Sequence, residues 1–135
     1  MTHVDPSVQA WIKQDEGLKL ETYVDTTGHL TVGWGRNLQN GIRLNEAELM
    51  FQNDLAQAVD ELERQPWFNK LPKNVKDALI NMNFNLGIEK LLEFKEMIAA
   101  LESGNYRAAA QAALNSLWAK QLPNRAKEIA VMIGG

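Results

Sequence analysis

Any chemistry in this sequence has to come from carboxylates. Cysteine is absent and only two histidines occur, His3 and His29. A disulfide, a thiolate metal site and a cysteine nucleophile are therefore excluded, and neither histidine has a metal-binding partner at useful spacing. No Gly-x-Ser-x-Gly, His-Glu-x-x-His or phosphate-cradling Gly-x-x-x-x-Gly-Lys pattern accompanies the three serines, Ser7, Ser103 and Ser116. One stretch does concentrate reactive groups: Glu16, then Asp25 nine residues on, then Thr31 six residues further, closing on Gly33-Trp34-Gly35. Two carboxylates in unequal environments are what cleavage of a glycosidic bond requires, one to give a proton to the leaving oxygen and one to handle water or the cation-like transition state. Spacing alone does not establish that role. With seventeen acidic residues such pairs are common, and a helix-terminal Glu, a turn Asp and a strand Thr are equally ordinary structural residues.

The elements that must position these groups can be read from local pattern. Asp5 as a cap, Pro6 at a first helical position and Gly17 as a C-terminal cap predict a helix over residues 6–16, with Val8, Trp11 and Ile12 as its apolar stripe. Glu16 then falls at the end of that helix, where the negative end of the dipole disfavours an ionised carboxylate. Leu20 to Val24 and Leu30 to Val32 flank the turn segment Asp25-Thr26-Thr27-Gly28-His29 and predict a β-hairpin, with Ile42-Arg43-Leu44 as a third short strand. Asn45 and Glu48 have capping-box spacing ahead of a helix over about 45–65. Beyond Pro66 the pattern is helical: a segment through Val75 and Met82, one from Leu91 to Leu101, one from Tyr106 to Trp118, and one after Pro123. Trp11, Trp67 and Trp118 fall in apolar patterns and are expected in the core, while Trp34 could border a ligand and His3 and His29 are expected in solvent. The architecture this predicts is α+β: a small hairpin-containing lobe, 1–44, a connecting helix, and a mostly helical lobe, 66–135, forming one domain in which the first helix packs toward the helical lobe.

Composition sets the boundaries. A chain of 135 residues with 45% hydrophobic and 23% charged residues has enough apolar material for a core. Net charge is −3, without a basic stripe, so the electrostatic footprint of a nucleic-acid binder is missing. No apolar run reaches the roughly 18 residues that predict a membrane span. The start, Met-Thr-His-Val-Asp-Pro, lacks the basic and apolar segments of a secretory signal, so synthesis in the cytoplasm is expected, with any export by another route.

Taken together, the residues resemble a family. Glu16, Asp25 and Thr31 followed by Gly-Trp-Gly look like the Glu-Asp-Thr triad of phage-type lysozymes related to the T-even phage enzyme, glycoside hydrolase family 24. The resemblance continues through Asn40-Gly41, Glu46 to Asp54, Ala78 to Met82 with Phe84, and Pro123 to Lys127, covering most of the chain. It implies a lysozyme-like fold and a cofactor-free muramidase, acting as a monomer on the β-1,4 bond between N-acetylmuramic acid and N-acetylglucosamine of the bacterial cell wall. Glu16 would be the general acid, with Asp25 and Thr31 positioning water. Inversion would follow, with carboxyl groups roughly 6.5 to 9.5 Å apart. It also implies that Arg125 approaches Glu16 from the helical lobe, and that Phe84 and Asn85 line a saccharide cleft. The alternative is a lysozyme-fold module that binds or scaffolds peptidoglycan with little catalysis.

Departures from the family are as informative. Arg36 stands where a histidine is usual, and its expected partner is Asp54, a pair that would stay charged to high pH. About twenty residues before the connecting helix are missing, and the chain stops at Gly135 where relatives run on into another helix. Met97 and Ala112 occupy positions that carry polar, sugar-contacting residues in the T-even enzyme. The acidic balance predicts weak electrostatic steering toward an anionic wall.

Overall fold

A computed structural model describes residues 3–134, which fall into two compact units divided between Glu48 and Leu49. In the first unit, α1 spans Pro6–Glu16. Asp5 caps it by accepting from the Ser7 amide at 2.9 Å and the Ser7 hydroxyl at 2.8 Å. Gly17, at φ +71°, ends it and donates its amide to Lys13 O. The predicted start and stop signals therefore both operate. Strand β1, Lys19–Val24, pairs antiparallel with β2, Leu30–Gly33, and the register slips between Lys19 and Tyr23. Such an irregularity bends a strand and re-aims its side chains.

The third strand is not where the pattern placed it. β3 is Arg36–Asn37, paired antiparallel with β2 through Thr31↔Asn37 and Val32↔Arg36. Gly33 and Gly35, at φ +69° and +72°, reverse the chain within two residues. Ile42–Leu44 is spent instead on the approach to α2, Leu44–Glu63. Arg43 O accepts from the Glu46 and Ala47 amides and Glu46 returns a bond to the Arg43 amide at 2.8 Å. The cap is thus at Arg43, two residues before Asn45, and Glu46 in place of Glu48 supplies the returning half of a capping box. Trp11 is also not core: it is 63% exposed and α1 buries none of its residues. Strands of two to six residues make too small a sheet to cover a helical stripe.

The second unit holds the remainder of α2 and α3 (Lys73–Leu86), α4 (Ile88–Leu91), α5 (Lys95–Glu102), α6 (Tyr106–Leu114), α7 (Leu117–Gln121) and α8 (Pro123–Gly134). Leu62, Leu79, Met82, Leu91, Met97, Leu101, Ile129 and Ile133 fill its core. Ala109, Ala113, Ala126 and Ala130 are buried where α6 meets α8, so small side chains let two backbones approach closely. The predicted helix from Leu91 to Leu101 is broken at Leu92–Phe94. Leu91 and Met97 are six residues apart, about 240° around a continuous helix, so only a break lets both point inward. Phe94 at the break stands edge-on to Trp118, centroids 6.3 Å apart. A second break follows Leu114, where Ser116 caps α7 by accepting from the Ala119 amide. Trp118 is buried and Trp67 half-buried against Phe68, as their patterns predicted. Met97 is fully buried, which removes it from any sugar-contacting surface.

Candidate active site

The three candidate catalytic residues lie in the first unit, on successive elements. Glu16 ends α1, Asp25 begins the hairpin turn, and Thr31 is on β2 opposite Tyr23. Glu16 is exposed and its carboxylate lies against Gly35 in the β2–β3 turn. A β-carbon at Gly35 would stand 2.9 Å from Glu16 Cδ and closer still to Oε2. The two glycines of Gly33-Trp34-Gly35 therefore do more than close a turn: the second makes room for the acid.

Asp25 is held by its own turn. Its Oδ1 accepts from the Thr27 amide at 2.9 Å, the Thr27 hydroxyl at 2.7 Å and the His29 amide at 2.9 Å. These donors, the His29 amide foremost and then the Thr27 hydroxyl, hold the carboxyl below its ordinary 3.8. All three bonds fall on one oxygen, which leaves the lone pairs of Oδ2 unengaged by these donors. Because the Thr27 proton goes to Asp25, the 2.7 Å contact between Thr27 Oγ1 and His29 Nδ1 requires His29 to donate through Nδ1. His29 is thus half-buried in the turn and not a freely solvated side chain. Sequence reasoning passed over Thr27 and His29, though a hydroxyl two residues after a turn aspartate is the usual signature of such bonding. Thr27→Val should raise the Asp25 carboxyl toward its ordinary value. The acid limb of the activity profile then moves to higher pH, while the rate on the plateau changes little; an unmoved limb in a pH series would contradict this.

Thr31 is buried, 2% exposed, and its hydroxyl donates to His29 O at 2.8 Å. Its oxygen lone pairs are what it can offer a water. Trp34 is 45% exposed, with Lys13 Nζ 4.3 Å from its ring centroid. One face of that ring carries a cation, and the other is the one a sugar could use.

Arg36 does not take Asp54 as its partner. Both terminal nitrogens of Arg36 donate to the two carboxylate oxygens of Glu46. Chain geometry explains the choice, since β3 leads within a few residues into the first turn of α2, where Glu46 already faces back to cap Arg43. The bidentate pair raises Arg36 further and, through the hydrogen bonds of Arg36 and then the Arg43 amide, lowers Glu46 from 4.5 to about 2. A carboxyl depressed in the folded state contributes stability above its unfolded pKa and loses it as pH falls toward the folded one. Urea midpoints of the wild type should therefore drop between pH 4.5 and about 2, and Glu46→Gln should flatten that drop. An equal acid dependence in the variant would refute the assignment.

The remaining candidates belong to the second unit. Phe84, 37% exposed on α3, packs against Phe51 with ring centroids 5.5 Å apart. Asn85 Oδ1 accepts from Trp118 Nε1 at 2.9 Å, which leaves the amide nitrogen as the group for a ligand. Arg125, at the start of α8, donates through Nε to Asn81 Oδ1 at 2.9 Å and through Nη2 to Asn81 O at 3.3 Å. Phe51, Phe84, Asn81 and Arg125 line one cavity of about 420 Å³. Asp54 lines another, of about 210 Å³, with Glu61, Asn83 and again Phe84. No group of three metal-ligating side chains converges among the described residues.

Comparison with known proteins matches residues 13–130 to a family described as phage lysozyme. The chain is 30% identical to "Probable T4-type lysozyme 1" of Dictyostelium discoideum over 94% of this chain and 93% of that protein. It is 29% identical to "Endolysin" of Salmonella phage P22, covering 90% and 92% of the two. It is 26% identical to "Pre-baseplate central spike protein Gp5" of Enterobacteria phage T4, over 94% of this chain and 27% of that protein. Glu16, Asp25, Thr31, Phe84, Asn85 and Arg125 all lie inside the matched span.

Proposed function

This chain belongs to the phage lysozyme family, and from that premise we propose that it cuts the β-1,4 bond between N-acetylmuramic acid and N-acetylglucosamine by an inverting mechanism. It is a lysozyme-type glycoside hydrolase acting on peptidoglycan. In the finer reading Glu16 protonates the leaving glycosidic oxygen. Asp25, ionised, takes a proton from a water that attacks the opposite face of the sugar, and Thr31 holds that water through its oxygen. Inversion places a water between sugar and base and so calls for carboxyl groups roughly 6.5 to 9.5 Å apart.

The observation that carries this reading is the state of Asp25. Three donors on one oxygen favour its charged form and fix its orientation, which is what a general base needs and what a lytic transglycosylase, dispensing with attacking water, does not. Phe84 and Asn85 offer a sugar an apolar face and an amide, and Trp34 a further ring. No cofactor enters this scheme, and the enzyme works as a monomer on the cell wall. Digestion of purified peptidoglycan followed by mass analysis is the test. Reducing muramic ends, formed first as the inverted anomer in a proton NMR time course, are the expected products. Anhydro ends would replace the scheme by transglycosylation, and intact glycan would leave a binding module.

A further inference from the structure

In the second unit α2 and α3 form an open pocket of about 210 Å³ lined by Asp54, Gln57, Ala58, Glu61, Asn83 and Phe84. Asn83 is 2% exposed, and its Oδ1 has no hydrogen-bond partner. Its Nδ2 donates to Ala58 O at 2.9 Å and to Glu61 Oε1 at 3.3 Å. Turning the amide over would set Oδ1 against those two oxygens, so the orphaned atom stays a buried acceptor on a residue of the cavity wall. Gln57 Nε2 reaches Glu61 Oε2 at 3.5 Å, leaving Gln57 Oε1 as one more acceptor. The polar wall thus offers two carboxylates and two amide oxygens, with no lysine, arginine or histidine to balance them.

A ligand for such a wall must donate and be positively charged. Asp54 and Glu61 lie two turns apart on α2, about 10 Å along its axis, too far for one metal ion to bond both. An ammonium needs less: it can donate to Asn83 Oδ1 and Glu61 while an attached methylene chain lies along the Phe84 ring. We propose that this cavity binds a primary ammonium on an aliphatic stem, the chemistry of a lysine-like side chain. The muramidase reading identifies its carrier as the free amine of a peptidoglycan stem peptide. Only that identification rests on the reading; the site itself does not.

The probe is Nα-acetyl-lysine methylamide, titrated into the full chain while the Asn83 side-chain amide signals are followed by NMR, with the Nε-acetylated compound as control. A saturable shift with the free amine and none with the control is expected, weakened at least tenfold in both Asn83→Leu and Glu61→Gln. Glu61 is partly exposed on α2, so its variant keeps the test usable if Asn83→Leu disturbs packing. Equal shifts with both compounds, or with sodium or calcium chloride at the same ionic strength, would overturn the proposal, as would binding unchanged in the two variants. Amine binding retained by a protein that cuts no glycan would sink the muramidase reading and leave this site standing.

Discussion

Glu16→Gln is expected to lower the release of reducing ends from peptidoglycan by about 10²- to 10⁴-fold, the usual worth of a positioned general acid. Glutamine keeps the shape of the side chain and its contact with Gly35 but has no proton to give to a departing sugar oxygen. Glu16 is exposed at the end of α1, so circular dichroism and thermal unfolding should stay close to wild type. Clearance of cell walls at half the wild-type rate by the variant would remove Glu16 from the mechanism.

Gly35→Ala is the second large effect, and it arises by a different route. A methyl group there meets two obstacles. At φ +72° an L-residue is strained by roughly 1–2 kcal/mol, and the new carbon would press on the Glu16 carboxyl, 2.9 Å from Cδ. That obstructing carboxyl is the far end of a flexible chain, so the fold survives by letting it swing aside. A displacement of about 1 Å in a reacting group costs on the order of 10²-fold. The expected signature is a kcat reduced about a hundredfold, KM nearly unchanged, and a melting temperature lowered by only a few degrees. A drop in melting temperature large enough to account for the lost activity would make Gly35 a folding residue and not a positioning one.

The two variants separate what the linear pattern discloses from what it hides. Glu16, Asp25 and Thr31, common enough as residue types at such spacings, could be singled out as candidates because several further blocks along the chain resemble one family in the same order. The helix over 6–16 and the hairpin were legible because their caps and turn residues act locally: Asp5, Pro6 and Gly17 impose their dihedrals whatever surrounds them. Local pattern failed where neighbours compete for the same group. Arg36 meets Glu46 and not the expected Asp54, and which carboxylate of α2 it reaches depends on how tightly the Gly33–Gly35 turn reverses the chain. The break at Leu92–Phe94 was invisible because both halves are good helix formers, and only the demand that Leu91 and Met97 share a core interrupts them.

By itself, then, the amino-acid order determined the chemical class of the molecule, through the carboxylates it contains and the thiols and basic stripes it lacks, and most of its local elements. Tertiary structure decided the pairings. It set Glu46 against Arg36, turned Thr27 and His29 into the holders of Asp25, pressed Gly35 against the acid, and left Asn83 Oδ1 buried without a donor. The physical reason is one of range. Capping, turn formation and helical period act over a few residues and are written in sequence, whereas a hydrogen-bond partner or a close contact depends on which distant surfaces packing brings together.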